Sequence, residues 1–305
     1  MRKFEKVLVL INSEGKKKVI NSFVSFLKEH FAANIEDGTY MIYRTVDASS
    51  TREKSREFSK KYKNSLIVAV GGDGTVHEII NSIDFDNTSL AIIPNGTGND
   101  FASHLYGPMT YDEIFNKLLK PKFSKTDVVK INEHYCMNVT SFGYDTVVLK
   151  KSLELKEKLP FFRNLSFKLA ILMTLSKIEP VSYSYEFIDK EGKLIKGQGE
   201  YILNAICNGA RFGGGFRPAP EAKIDDGIIE VNQIDNMSLF RFLSRVFMYQ
   251  DGSHIHKVKE SHNFNLLAGK IRPKGQKIYG NIDGELYEFD KIDFEVMPKR
   301  INLMH

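Results

Sequence analysis

Between residues 7 and 130 the chain alternates short apolar runs with amphipathic stretches, and this alternation limits its fold more than any other feature. Residues 7–11, 40–43, 66–70 and 90–93 are the runs, each too short for a stable helix and rich in aliphatic, β-branched or aromatic residues. They read as buried strands. Between the first two, Val19, Ile20, Phe23, Val24 and Leu27 form a helical stripe. Val76, Ile79, Ile80 and Ile83 form another, at i, i+3, i+4 and i+7. Strands joined through helices pair in parallel, and the helices then cover both faces of the sheet. The expected architecture of residues 1–127 is a Rossmann-like three-layer α/β domain.

From about residue 127 the pattern changes. Residues 181–187, 201–207 and 291–296 alternate with a period of two, as half-buried antiparallel strands do. Residues 128–297 therefore read as a second, mostly antiparallel β-sandwich domain, interrupted by helical candidates at 153–177 and 238–249. The tail, 298–305, is expected to return to the first domain. A chain of 305 residues is long enough for two cores.

Composition narrows the function classes. Hydrophobic residues make up 42% and charged residues 27%, an ordinary globular balance. The net charge of +5 is modest and spread along the chain. It suits an anionic ligand or an anionic membrane surface and is too weak to imply nucleic acid. Cys136 and Cys207 lie far apart with no metal-ligand spacing, which argues against a disulfide framework or zinc site and fits a reducing compartment. No uncharged apolar run approaches the ~18 residues that span a bilayer, and the first apolar run is too short for a signal peptide. The reading is a cytoplasmic protein whose membrane contact is peripheral.

Two glycine-rich loops carry the chemistry. In the first, the strand at 66–70 leads into Gly71-Gly72-Asp73-Gly74-Thr75 and then a helix. Glycines let backbone N–H groups approach phosphate oxygens, and the helix N-terminus adds unpaired donors. Asp73 is at odds with an anion site unless a cation accompanies the phosphates, which points to Mg²⁺. The alternative is a plain strand-to-helix turn. The second loop, Pro94-Asn95-Gly96-Thr97-Gly98-Asn99-Asp100, follows the next strand. Ligands of open α/β sheets bind at such strand ends. Thr97, Asn99 and Asp100 offer hydroxyl, amide and carboxylate there, although Asn99 or Asp100 can equally cap the next helix.

Together the two loops resemble the catalytic domain of the diacylglycerol kinase family, which includes sphingosine and ceramide kinases and bacterial soluble lipid kinases. The likeness continues through Asn208-Gly-Ala-Arg-Phe-Gly-Gly-Gly-Phe216, Pro218-Ala-Pro-Glu-Ala-Lys-Ile-Asp-Asp-Gly-Ile228 and Asp283-Gly284-Glu285, in order along nearly the whole chain. The resemblance implies ATP as co-substrate, bound in a cleft between the domains, and a lipid acceptor, with diacylglycerol the best match and phospholipid biosynthesis the setting. It assigns nucleotide contacts to Asn12, Ser13, Glu14, Gly15 and Lys16, to Thr45, to Gly72, Asp73, Gly74, Thr75, Val76, His77 and Glu78, and to Thr97. Gly71 joins them on the physical reading above. The 12–16 loop departs from the family's Asn-Pro-x-Ser-Gly pattern, since Ser13 replaces the proline and the loop is one residue shorter.

The same resemblance places Mg²⁺ at the Asp226 carboxylate and the main-chain carbonyls of Lys223 and Ile228. Read alone, the turn at 225–228 is an Asp-Gly hairpin turn with no ion. Asp283 and Glu285 match the family's catalytic acid pair, with Glu285 as general base and Asp73 in the catalytic network. Residues 153–178 interleave Leu153, Leu155, Leu159, Phe161, Phe162, Leu165 and Phe167 with Lys156, Lys158, Arg163 and Lys168, as an interfacial segment at an anionic membrane does. A helix packed into its own domain is the alternative. Residues 237–249 read as core, with Phe240, Leu243 and Phe247 inward and Arg241 and Arg245 on the other side. A homodimer is compatible with the sequence. The rival functions are a soluble-metabolite kinase such as NAD kinase or phosphofructokinase, which share Gly-Gly-Asp-Gly, and a non-catalytic nucleotide-binding regulator.

Overall fold

Parallel pairing of four strands builds the first half of the computed structural model, which describes residues 4–158 and 165–305. Three are buried as expected, but the edge strand at 40–45 is largely exposed because no second neighbour covers it. The described chain divides into two compact units, Met1–Val128 with Pro298–His305, and Val129–Met297.

In the first unit the elements run β1 (Val7–Asn12), α1 (Lys17–Glu36), β2 (Tyr40–Thr45), α2 (Ala48–Lys61), β3 (Ser65–Gly71), α3 (Asp73–Ile80), β4 (Thr88–Pro94), α4 (Asp100–Tyr106) and α5 (Tyr111–Lys117). The sheet order is β4-β3-β1-β2, all parallel. β3 is buried along its whole length, which is why it reads as an unbroken apolar run. Val19, Ile20, Phe23 and Leu27 of α1 are buried as their spacing requires, and Phe23 meets Phe115 of α5 at 5.0 Å between ring centroids. At its end the chain pairs in parallel with β4, Asn302 beside Ser89 and Leu303 beside Leu90. The Lys299 N–H donates to Asp127 Oδ1 at 2.7 Å, and Arg300 pairs with Asp86 at 2.8 Å.

The second unit contains β5 (Phe123–Ile131, entering from the first), β6 (His134–Cys136), β7 (Val139–Gly143), α6 (Tyr144–Lys158), α7 (Ser166–Thr174), β8 (Val181–Asp189), β9 (Leu194–Cys207), β10 (Ile229–Asp235), α8 (Leu239–Leu243), α9 (Val246–Asp251), α10 (His254–Lys257), β11 (Ser261–Pro273), β12 (Ile278–Ile282), β13 (Glu285–Phe289) and β14 (Ile292–Met304). Two long strands organise it. β9 pairs through its first half with β8 and through its second with β10 and β7. β11 pairs first with β10 and then with β8 and β14. All these pairings are antiparallel, and they wrap around Phe142, Tyr183, Phe187, Ile206, Ile271 and Phe294.

The helical candidates change shape. The first begins at Tyr144 rather than near residue 153, and α6 and α7 form separate helices. Leu159, Phe161, Phe162 and Arg163 of the interfacial segment lie outside the described residues, as do the side chains of Phe167 and Lys168. The second candidate breaks at Ser244, and its faces are reversed. Phe242 and Tyr249 are buried, whereas Phe240, Leu243 and Phe247 are exposed. Arg241 and Arg245 each pair with Glu260 at 3.1 Å, which turns the expected core face outward.

Candidate functional site

Register brings the loops of the first unit to one edge. Asn12 lies beside Thr45, Ile11 beside Val70, and Gly71 beside Pro94, so the carboxyl ends of all four strands are in line. The two glycine loops touch through their backbones: a Cβ on Gly72 would stand 2.9 Å from Gly96 Cα, and one on Gly96 would stand 2.5 Å from Gly72 Cα. Neither position has room for a side chain. Gly96→Ala should therefore push the loops apart, and the nucleotide contacts expected here from the sequence predict a roughly tenfold or larger loss of ATP affinity, the scale of a ~1–3 kcal/mol overpacking penalty. Calorimetric titration of ATP into wild type and variant measures it, and an unchanged Kd would remove the loop contact from nucleotide binding.

Asn95, which the sequence reading passed over, ties three segments together. It is 3% exposed; its N–H donates to the Gly71 carbonyl at 2.8 Å and its Oδ1 accepts the Lys16 N–H at 3.0 Å. Its Nδ2 is buried with no hydrogen-bond partner among the described residues. A Cβ on Gly15 would overlap this amide, which gives that glycine a steric reason. Asn12 folds its own loop by accepting the Glu14 N–H at 2.9 Å, and its Nδ2 donates to Thr75 Oγ1 at 3.3 Å. Thr45 is buried and accepts the Ser13 N–H at 3.1 Å. Thr97 is exposed on the second loop.

Helix ends explain the acidic residue. Asp73 Oδ2 and Oδ1 accept the N–H groups of Asp100 and Phe101, each at 3.1 Å, so the first loop caps the helix that starts in the second. Asn99, in the left-handed region at φ 55°, makes no cap and instead closes its own loop through the Gly96 N–H and carbonyl at 2.7 and 3.0 Å. α1 and α3 have no side-chain cap. At α1 the exposed Lys16, Lys17 and Lys18 crowd the positive end of the helix dipole with no acidic residue in the first turn. An anion there would relieve both effects.

Not every residue assigned by resemblance reaches this edge. Val76 and His77 are buried, and the Val76 N–H already donates to the Gly72 carbonyl at 3.2 Å. Glu78 turns to Arg52 of α2, 2.7 Å away. The structure brings together Asn12 to Lys16, Thr45, Gly71 to Thr75 and Thr97, and leaves the side chains of Val76, His77 and Glu78 in helix packing.

In the second unit the expected acid pair separates. Asp283, in the left-handed region at φ 52°, is 7% exposed and accepts four donors. The N–H groups of Met137 and Asn138 donate at 2.8 Å, that of Val139 at 3.2 Å, and the Cys136 thiol at 3.2 Å. Burial, and next the Asp283 charge, push the Cys136 thiol up and hold it protonated. Asp283 thus fastens residues 136–139 beneath the turn. Glu285 follows Gly284 (φ 92°) and is exposed at the start of β13.

Beneath this turn lies a polar chain with no signal in the sequence. The Gly284 N–H donates to Asn281 Oδ1 at 3.2 Å, Asn281 Nδ2 donates to Ser141 Oγ at 2.7 Å, and Ser141 donates to Asp145. Burial pushes the Asp145 carboxyl up to about 6 from 3.8, against the lowering effect of the Ser141 bond. Because the folded state then holds a proton that the unfolded state has lost, stability falls as pH rises between about 4 and 6. Asp145→Asn removes this titration. The variant should gain up to roughly 3 kcal/mol relative to wild type across that window, by the free energy of a two-unit shift. Denaturant unfolding at several pH values checks this; parallel wild-type and variant profiles would contradict it.

The Asp226 turn is tight and exposed: Asp226 Oδ1 accepts the Ile228 N–H at 3.1 Å, with Gly227 at φ 75°. Burial, and then the charges of Glu221 and Asp226, push Glu230 up to about 7. No group of three or more His, Cys, Asp or Glu side chains among the described residues is arranged to hold a metal ion. A hard cation here would rest on one carboxylate, main-chain carbonyls and water, a donor set that fits Mg²⁺ and that would offset the local negative charge.

Comparison with known proteins agrees with the geometry. Residues 6–131 match the diacylglycerol kinase catalytic domain, and residues 138–305 match the YegS C-terminal NAD kinase beta sandwich-like domain. The diacylglycerol kinase of Bacillus subtilis (strain 168) is 26% identical over 289 residues, covering 91% of this chain and 88% of that protein. The YegS-like probable lipid kinase of Shewanella frigidimarina is 27% identical over 244 residues, covering 78% and 75%. A crystal structure of a diacylglycerol kinase from Bacillus anthracis strain Sterne, 21% identical, superposes with a TM-score of 0.74 over 100% of this chain and 98% of that one. That likeness shows the fold.

Proposed function

Because the chain belongs to the family that joins a diacylglycerol kinase catalytic domain to a YegS C-terminal NAD kinase beta sandwich-like domain, we propose that it transfers the γ-phosphoryl group of ATP to a lipid hydroxyl. The acceptor is diacylglycerol and the product phosphatidic acid. The observation that carries the reading is the convergence of the 12–16, 71–75 and 95–99 loops on one sheet edge, with Lys16 to Lys18 at the start of α1, a helix that like α3 has no side-chain cap.

ATP phosphates lie against those backbone N–H groups. Asp73 acts by holding the second loop on the first, and through that loop it positions Thr97. The acceptor oxygen attacks the γ-phosphorus, the bond from phosphorus to the β–γ bridging oxygen breaks, and ADP leaves. The hydroxyl proton passes to the Glu285 carboxylate. Asp226, with the Lys223 and Ile228 carbonyls, would hold Mg²⁺, which when bound neutralises negative charge around the transferred group. The acceptor remains in an anionic membrane, so the protein works as a cytoplasmic, peripheral enzyme at its inner face. No helix among the described residues is long and apolar enough to cross a membrane.

The test is incubation with γ-labelled ATP, Mg²⁺ and a panel of lipid alcohols, followed by chromatography of the product. Label in phosphatidic acid is expected. Label in another lipid would change the acceptor, and label in a soluble metabolite alone would overturn the lipid reading.

A further inference from the structure

Among the described residues, some of the most exposed apolar side chains stand on two helical stretches of the second unit that share one foundation. On α8 and α9, Phe240 is 86% and Phe247 73% exposed, with Leu239 and Leu243 beside them in sequence. On α7, Leu172 is 66% and Met173 55% exposed. Tyr144 of α6 supports both: its hydroxyl donates to the Ile171 carbonyl at 3.0 Å, and its ring meets Phe242 edge-on at 5.6 Å. Ala170, Phe242 and Tyr249 are buried in one cluster with Tyr144. The helices are thus anchored by other side chains, and the outward phenyl rings contribute nothing to that core.

The charges around these side chains are mostly positive, with exposed Glu179 after α7 and Asp251 at the end of α9 as the acidic exceptions. Residues 165–178 and 237–250 contain no Asp or Glu, while Lys177, Arg241 and Arg245 lie within them and exposed Lys257 and Lys259 follow. Arg241 and Arg245 share a single carboxylate, Glu260, so that group retains a positive excess. Apolar tips with a cationic surround match a phospholipid leaflet, in which rings enter the acyl boundary and cations meet anionic headgroups.

We infer that the face formed by α7, α8 and α9 docks on an anionic phospholipid bilayer, with Phe240 and Phe247 as the inserting side chains. This rests on the lipid-kinase reading only in that an acceptor held in a bilayer requires such a face. It keeps the α7 part of residues 153–178, which the sequence offers as interfacial or packed, and adds to it a segment that the sequence reads as core.

The test is sedimentation of the full chain, without ATP, with vesicles of phosphatidylglycerol and phosphatidylcholine or of phosphatidylcholine alone. Wild type should sediment with the anionic vesicles, and Phe240→Ser/Phe247→Ser should lose roughly tenfold or more in partitioning. The melting temperature should not fall, because both rings are exposed. With a short-chain acceptor dissolved as monomer the double variant should keep its kinase activity, and with a long-chain acceptor in vesicles it should lose most of it. A double variant that sediments like wild type overturns the inference, as does a wild type that ignores vesicles but forms a dimer that the substitutions break. Vesicle binding that depends on both rings, with no labelled product from any acceptor, would uphold the face while refuting the kinase reading.

Discussion

Glu285→Gln is expected to lower kcat for lipid phosphorylation by about 10²–10⁴-fold, the usual contribution of general-base assistance. Glutamine keeps the size and the hydrogen-bonding reach of glutamate but cannot take up the hydroxyl proton. The substitution should not disturb the fold, because Glu285 is exposed at the first position of β13 and the turn before it is held by Asp283 and Gly284. Affinity for ATP should change little, since the proposed nucleotide contacts all belong to the first unit. Steady-state kcat measured beside a calorimetric Kd for ATP separates the two effects. A variant within about threefold of wild type, far below the range for general-base assistance, would pass the proton to a water molecule. Asp283 is the less accessible alternative, since it is 7% exposed and both of its oxygens accept hydrogen bonds from residues 136–139.

The largest stability effect is expected at Asp283. Asp283→Ala leaves the buried N–H groups of Met137, Asn138 and Val139 without their acceptor, and each such group costs about 1–3 kcal/mol unless water replaces the partner. Alanine also tolerates the left-handed backbone at this position (φ 52°) less well than aspartate. A total near 3–5 kcal/mol follows, the scale of removing one partner from a buried charged contact. For a unit of this size that lowers the melting temperature by roughly 6–20 °C. Asp283→Asn keeps one acceptor oxygen and the tolerance for this backbone, so it should fall between the two. Thermal unfolding of the three proteins decides the matter. An Asp283→Asn variant that melts like wild type and is inactive would overturn the fastening account and return Asp283 to the chemistry.

Much of the first unit is legible along the chain. Residues 7–11, 66–70 and 90–93 are strands because near-continuous aliphatic runs satisfy a sheet covered on both faces, and parallel register then places every loop after a strand at one edge. Gly71, Gly72 and Gly74 imply by themselves that something approaches the backbone closely. What approaches them is a different matter. The partners of Asp73 are the N–H groups of Asp100 and Phe101, and the acceptor of the Lys16 N–H is Asn95, 79 residues away. Local spacing cannot encode contacts between loops that only the sheet brings together.

The second unit divides the two kinds of information more sharply. Its period-two runs determine that it is β-rich, and the Asp283-Gly284-Glu285 motif determines that a turn carries carboxylates. Only the tertiary structure decides that Asp283 faces inward to residues 136–139, nearly half the chain away, while Glu285 faces out. The same holds for Phe240 and Phe247. Periodicity puts them on one helical face but cannot say which face is covered, and the break at Ser244 removes the continuous helix on which the argument depends. Sequence specifies which residues share a surface. Burial depends on what the rest of the fold lays against it, and here Tyr144 and Glu260 claim the opposite side.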